Sequence, residues 1–444
     1  MSEAAADVFL ETCRSRLQQL PRLAREGRVR SLVGAALEVE GLPARVGSLC
    51  TLAPPDAPEL EAEVVGFRDQ ATILMPLGDP VGVAPGTPVR AALREAWAPS
   101  ASSCLGRVLD ALARPLDAGP PPRGEAGRPL LGRAAPVLRR RRIAEPLDVG
   151  IRSINALLTL GRGARIGLFA GSGVGKSTLL GQVARFTRAD AVVVALVGER
   201  GREVREFVER ELGPALARSI VVVATSDDAA LLRRRAALLA ATFAEELRDQ
   251  GRHVLLLMDS LTRFCTAQRE IGLASGEPPA TRGYPPSVWS ALPRLLERAG
   301  TSSGSGSITG IYTVLVEGDD LSEPVADASR ALLDGHVVLS RSLAERGQHP
   351  AVDPLASVSR VMPDVVDARQ VELAARARRS LAVYRDAEDL ISIGAYVEGS
   401  DPAIDEARRL EPALRRFLCQ GRDEAADLAA SRDALAGALA GDPS

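Results

Sequence analysis

Apolar and polar positions follow three rhythms along this chain. Over residues 5–20, Ala5, Val8, Phe9, Cys13, Leu17 and Leu20 recur at helical spacing and Pro21 ends the run, so an amphipathic helix is predicted. It either packs on its own domain or makes residues 1–28 a partner-binding arm, and the pattern leaves both open. Short β-rich runs follow: SLVGAALEVEGL, GSLCTLA, LEAEVVGF, ATILMPLG and TPVRAAL. Gly, Pro and Asp punctuate them closely, which predicts a small antiparallel barrel over 29–95. Residues 96–145, with the Pro- and Gly-rich PLDAGPPPRGEAGRPLLGRAAP, read as a linker.

From 146 to 370 the rhythm becomes alternating α/β. Strands are predicted at Arg165–Ala170, Ala191–Gly198, Ile220–Thr225, Val254–Asp259, Ile308–Val316 and Gly335–Ser340, with helices over 176–188, 201–212, 228–249, 286–299 and 322–333. That order implies a mainly parallel sheet covered on both faces, with its ligand at the carboxyl ends of the strands. Residues 371–444 are rich in Ala, Arg, Leu and Glu at helical period and predict a helical domain.

Composition removes several classes of function. With 46% hydrophobic and 25% charged residues, a largely disordered chain is excluded. A net charge of −2 gives no global basic field for nucleic acid. The run Arg139–Arg142 is short and lacks interleaved aromatics, so it reads as a solvated turn. Five cysteines lie scattered without CxxC spacing, no window approaches the ~18–20 apolar residues of a membrane span, and the first twenty residues do not read as a signal peptide. A cytoplasmic protein is expected, reaching a membrane only through partners.

The chemistry centres on ARIGLFAGSGVGKST, residues 164–178. An apolar strand runs into a glycine-rich turn and then into Lys176, Ser177 and Thr178. Gly171, Gly173 and Gly175 permit backbone conformations in which successive N–H groups surround a phosphate, so residues 170–178 (Ala170, Gly171, Ser172, Gly173, Val174, Gly175, Lys176, Ser177 and Thr178) are the candidate nucleotide cradle. Lys176 reaches the β- and γ-phosphates and Ser177 is placed to ligate Mg²⁺. The strict pattern asks for Gly where Ala170 stands. Against that, Lys176 is the single lysine among 55 basic residues, and a forked arginine does not fit so tight a loop.

Two buried-strand candidates close on acids. VLLLMDS ends in Asp259, suited to hold Mg²⁺ through water, and AVVVALVGER ends in Glu199, suited to polarise an attacking water, with Arg200 beside it. Either acid alone is as readily a helix cap. Arg360, in HPAVDPLASVSRVM, offers the guanidinium that a developing charge on the γ-phosphate needs, but the residues alone do not single it out from 53 other arginines.

GLFAGSGVGKSTLLG, VGERGREVREF, MDSLTRF, QREIGLASGEPPATRGYPPSVWSALPRLLERAG, ITGIYTVLVEGDDLSEPVADASRALLDGHVVLSR and PAVDPLASVSRVM resemble the cytoplasmic ATPase of type III protein export. That family serves flagella and injectisomes and is similar to the catalytic subunit of rotary ATP synthases. The likeness runs from about residue 30 to 410. It implies a RecA-like P-loop ATPase core with an N-terminal β-barrel and a C-terminal helical domain, assembled as a homohexamer with ATP and Mg²⁺ at subunit interfaces. Lys176, Ser177, Glu199 and Asp259 take the family's site roles, and Arg360 matches the finger supplied by a neighbouring subunit. Where the family carries a Tyr that stacks on adenine, this chain has His349, with Tyr396 the expected opposite wall. Implied partners are a stator-like regulator at the arm, a central stalk, the export gate and substrate–chaperone complexes. The loop GEPPATRGYPPSVW faces either the hexamer pore or a packed subunit. A rotary-synthase subunit and a hexameric RNA translocase are the alternatives, the second disfavoured because residues 29–92 hold one Phe and neither Tyr nor Trp.

Overall fold

Strand alternation in the first third closes a barrel. In this computed structural model, which describes residues 26–95, 97–122, 127–132, 136–316 and 320–441, the arm expected over 1–28 lies, up to residue 25, outside the described residues. Strands β1 (Glu26–Val33), β2 (Ala36–Glu40), β3 (Ser48–Leu52), β4 (Leu60–Arg68), β5 (Ala71–Pro76) and β6 (Pro88–Glu95) pair in the order β1-β2-β5-β4-β3-β6. Val29 points in while Arg28 and Arg30 point out, and Leu37, Val39, Leu52, Val64, Leu74 and Val89 fill the interior. This barrel forms one compact unit ending at Ala96; Trp97–Ser444 forms a second.

The second unit is built on a nine-stranded sheet. Its strands are β7 (Arg107–Asp110), β8 (Arg165–Ala170), β9 (Ala191–Glu199), β10 (Ser219–Thr225), β11 (His253–Asp259), β12 (Ser307–Leu315), β13 (Gly335–Leu339) and β14 (Val358–Ser359), ordered β14-β13-β8-β12-β11-β9-β10-β7, with Gly300–Thr301 added beside β12. From β13 through β7 every pairing on this path is parallel, and β14 joins antiparallel. The central strands are buried nearly end to end, as a sheet sandwiched by helices requires.

The stretch 96–145 is not simply a linker, because β7 forms the far edge of the sheet and pairs with β10. Asp117, in the Pro- and Gly-rich segment, holds that edge. It accepts from Arg107 Nη2 at 2.7 Å and Nε at 2.9 Å, and from the Val108 amide at 2.9 Å. A four-residue strand with a single buried side chain, Leu109, carries too little periodicity to be read in advance. Further along, Arg298 and Glu245, both buried, pair at 2.7 and 2.9 Å, and Arg298 also donates to the Leu130 carbonyl.

The helix expected over 201–212 is α-helical only at Gly201–Glu206 and continues as a π-turn over Phe207–Leu212. Three helices end the chain: Ala368–Ser392, Pro402–Leu418 and Leu428–Ala440. Each starts on an aspartate whose side chain accepts an amide of the first turn: Asp367, Asp401 and Asp427. Leu410, Leu414, Phe417, Leu435 and Leu439 join the same core as the sheet strands. Gln370 Nε2 adds polar anchors to the Asn155 carbonyl (3.0 Å) and Thr159 Oγ1 (2.9 Å).

The Arg107 guanidinium holds the Asp117 carboxyl down at about 2. A depressed carboxylate contributes stability that is present above its ordinary pKa of about 4 and lost as pH falls through the folded value. Asp117→Asn is therefore expected to lower the denaturation midpoint at pH 7, with the gap from wild type closing as the pH is taken below about 4. A gap independent of pH would show that the Arg107–Asp117 charge pair is not what holds this edge.

Candidate active site

The carboxyl ends of β8, β9 and β12 converge on a cavity of about 440 Å³, with Asp259 at the end of β11 buried behind its lining. Strand β8 stops at Ala170 and the chain turns through residues 171–175 into the helix Lys176–Phe186. Gly173 and Gly175 adopt φ of +77° and +87°, the left-handed region that side chains avoid, whereas Gly171 does not. Open space surrounds Gly173, so backbone conformation and not crowding demands glycine there. Ala170 and Val174 bury their side chains and offer only backbone, which explains why Ala replaces the first Gly without harm to the loop. Gly171, Ser172, Gly173, Gly175, Lys176, Ser177 and Thr178 line the cavity at the positive end of an eleven-residue helix.

One ammonium faces two acids. Lys176 Nζ lies 2.5 Å from Asp259 Oδ1 and 3.3 Å from Glu199 Oε1. Burial works against the lysine charge, yet the carboxylates of Asp259 and Glu199 outweigh it and hold Lys176 above the ordinary lysine range. Burial pushes the Glu199 carboxyl upward, against the pull of Lys176 and with Glu203 adding to the rise. It does the same to Asp259. Thr313 Oγ1, from the adjacent strand β12, donates to Asp259 Oδ1 at 2.6 Å and fixes that carboxylate.

Glu199 reaches the cavity through a bulge. The pairing of β9 with β10 shifts between Val197 and Glu199, with Gly198 at φ +74° and the Arg263 stem packed on it. Arg200 is exposed and lies 3.8 Å from Glu203. The structure adds Glu203, Ser226 and Arg263 to the lining, none of them singled out from the sequence. The Arg263 guanidinium has no ion pair or hydrogen bond among the described residues. Its signal was its place one helical turn after the strand-ending Asp259 in MDSLTRF.

The remaining candidates fall in three places. His349 stands beside the loop, its Nδ1 4.0 Å from where a Cβ on Gly175 would lie, and its carbonyl accepts from the Gln420 amide at 2.8 Å. Tyr396 does not form the opposite wall. Its hydroxyl is committed within its own turn to the Asp401 carbonyl (3.0 Å) and Asp405 Oδ1 (2.8 Å), and the segment at Gln420 is what adjoins His349. Arg360 follows β14 and meets Asp334 at the amino end of β13. Since Gly335 pairs with Ile166 and Leu339 with Ala170, about 13 Å of strand separates Arg360 from its own phosphate loop. A second cavity of about 340 Å³, against the C-terminal helices, has charges paired within it, Arg346 with Glu388 at 2.5 Å and Arg385 with Asp353 at 3.3 Å, and carries no glycine-rich loop.

Residues 150–359 match the family model of the ATP synthase alpha/beta family nucleotide-binding domain, and residues 366–437 match the type III secretion system EscN ATPase C-terminal domain. The flagellum-specific ATP synthase of Pseudomonas aeruginosa is 54% identical over 421 residues, covering 94% of this chain and 93% of its own. The type 3 secretion system ATPase of Xanthomonas euvesicatoria is 48% identical over 402 residues, 90% of this chain and 91% of its own. The structure of the assembled ATPase EscN from enteropathogenic E. coli superimposes with a TM-score of 0.88 at 40% identity, over 93% of this chain and all of that one; EscN with its central stalk EscO gives 0.85.

Removing the shared ammonium should expose the strain between the acids. Without Lys176 both carboxyls rise further, and an acid raised on folding contributes stability that is lost as pH increases. Lys176→Ala is expected to match wild type in acid and to fall behind as pH is raised toward neutrality, read from denaturant midpoints without nucleotide. A constant difference across that range would remove the charge triangle from the stability of the free site.

Proposed function

The chain belongs to the export ATPases of flagella and type III secretion systems, and on that premise we propose how its residues divide the work. The enzyme hydrolyses ATP in protein export, and the rotary-synthase alternative is not favoured, since its C-terminal region matches the export ATPases. The observation that carries the proposal is the juxtaposition of Lys176, Asp259 and Glu199 in front of a glycine-rich loop at a helix N-terminus.

Amides of residues 171–178 and the Lys176 ammonium bind the β- and γ-phosphates, exchanging the lysine's carboxylate partners for phosphate oxygens. The hard oxygen donors Ser177 and Asp259 fit Mg²⁺, which takes few protein ligands when phosphates and water supply the rest. When bound with the nucleotide, the ion neutralises charge building on the β- and γ-oxygens. Glu199, its carboxyl raised by burial, orients a water and takes up its proton. The water oxygen bonds to the γ-phosphorus, the bond to the bridging oxygen breaks, and ADP and inorganic phosphate leave. Arg263, unpaired among the described residues, holds phosphate oxygens, Arg200 turns to them from its loose pair with Glu203, and the His349 ring packs on the base.

Arg360, a strand length from its own loop, serves the site of a neighbouring subunit and stabilises the transferring phosphoryl group there. A homohexamer has such a site at every interface. We assign the partners by the same reading: a central stalk like that of EscN, a stator-like regulator at residues 1–28, the export gate, and substrate–chaperone complexes. No described helix is long and apolar enough to cross a membrane, and recruitment to the inner membrane face goes through those partners. The 54% identity to a flagellar enzyme supports a flagellar client system.

Glu199→Gln is expected to keep ATP affinity near wild type and to lose about a hundredfold or more in turnover. Near-normal turnover would remove Glu199 from its role. Held with ATP in the native cell, the same variant should capture flagellar rod, hook or filament components with their chaperones; injectisome effectors in their place would reassign the client.

A further inference from the structure

Arg360 does not stand alone at its end of the sheet. Its Nη1 donates to the Leu333 carbonyl and its Nη2 to the Arg330 carbonyl, both at 3.3 Å, and its amide donates to the Asp334 carbonyl at 3.0 Å. The first two acceptors belong to the end of the helix Pro324–Leu332 and the turn after it, where carbonyls lack helical partners. The guanidinium is therefore seated before any neighbour arrives.

Arg330 shares that place with a different status. It is half-buried in the last turn of the helix, its Nε is shielded from water without a hydrogen-bond partner, and its side chain makes no ion pair among the described residues. Asp334 is engaged by Arg165 at 3.2 Å and Glu297 by Arg140 at 2.6 Å and by Arg165, while Asp327, three residues before Arg330, and Asp364, four after Arg360, pair with neither guanidinium among the described residues. A stabilising contact with the helix dipole is the ordinary role for an arginine here, but it does not account for a second charge beside Arg360 with no ion pair among the described residues. Both guanidinia act on one neighbour. After burial, which comes first, Arg330 and then Arg360 push the His336 imidazole below its ordinary range, while the Ala356 carbonyl at Nε2 holds against them.

We propose that Arg330 is a second guanidinium delivered with Arg360 into the adjoining subunit's site, where it binds non-bridging oxygens of the triphosphate. Two like charges with no ion pair of their own among the described residues are complementary to a polyanion, and the one that the across-interface reading of Arg360 brings here is the neighbour's bound ATP. The inference rests on that reading. Arg360, seated by two carbonyls, is set for the transferring phosphoryl group; Arg330, untethered, chiefly raises affinity in the assembled state.

Mixed assemblies test this. Arg330→Gln should lower kcat/KM for ATP about tenfold, mostly through KM, as loss of one charge-assisted contact does. Nucleotide binding by dilute, unassembled subunits should be unchanged. Random equal mixtures of Lys176→Ala with Arg360→Ala should recover about a quarter of wild-type turnover, the share of interfaces that combine an intact loop with an intact finger. Failure of that control would overturn the across-interface reading, and this inference with it. Given recovery there, and with ATP held well below KM, Arg330→Gln should gain turnover when mixed with Lys176→Ala and gain none when mixed with Arg360→Ala. Gain with the Arg360→Ala partner would place Arg330 in its own subunit's site, and no gain with either would make it structural; both overturn the proposal, as does unaltered kinetics of Arg330→Gln. Arg330→Lys, which keeps the charge, should stay within about threefold of wild type, and a loss equal to that of the glutamine variant would also count against it.

Discussion

Everything in the site depends on one ammonium held between two carboxylates. Asp259 and Glu199 close adjacent parallel strands, and Lys176 begins the helix after a third, so only the stacked order of β8, β11 and β9 across β12 brings them together. Burying two acids is unfavourable, and a single cation satisfies them incompletely. The arrangement is thus poised for a ligand that brings its own negative charge for the lysine. Neighbouring features support that one contact: Thr313 fixes Asp259, the bulge at Gly198 aims Glu199, and the positive φ at Gly173 and Gly175 turns the loop inward.

Much of this was written in the sequence, for identifiable reasons. Buried parallel strands announce themselves as continuous apolar runs, and the predicted strands from Arg165 to Ser340 match the observed ones within a residue or so at each end. Short β-rich runs closely punctuated by Gly, Pro and Asp made the barrel readable, and in the folded strand Arg28 and Arg30 face out while Val29 faces in. The loop and its lysine were legible because their chemistry is local. Where four residues carried the whole signal, as in β7, composition pointed to a loop and tertiary pairing overrode it.

What could not be read depends on contacts between distant segments. Thr313 and Arg263 are ordinary residues until β12 and the helix after β11 fold against the site. Tyr396 looked like a pocket wall by chemistry alone, yet Asp405, nine residues on, takes its hydroxyl. Arg360 needed the family resemblance, because no local pattern separates one arginine from dozens. Its placement then gives physical content to the choice: it lies at the end of the sheet remote from its own loop, beside a second guanidinium that makes no ion pair among the described residues.

The proposal that Arg360 completes a neighbour's site makes activity a property of the assembly, and its most direct measurement is turnover per subunit as a function of protein concentration, with oligomeric state followed by light scattering in the same samples. Turnover should be near zero in dilute monomer and climb to a plateau as the assembly forms. A proven monomer with full, concentration-independent turnover would contradict a site completed by the neighbour's Arg360.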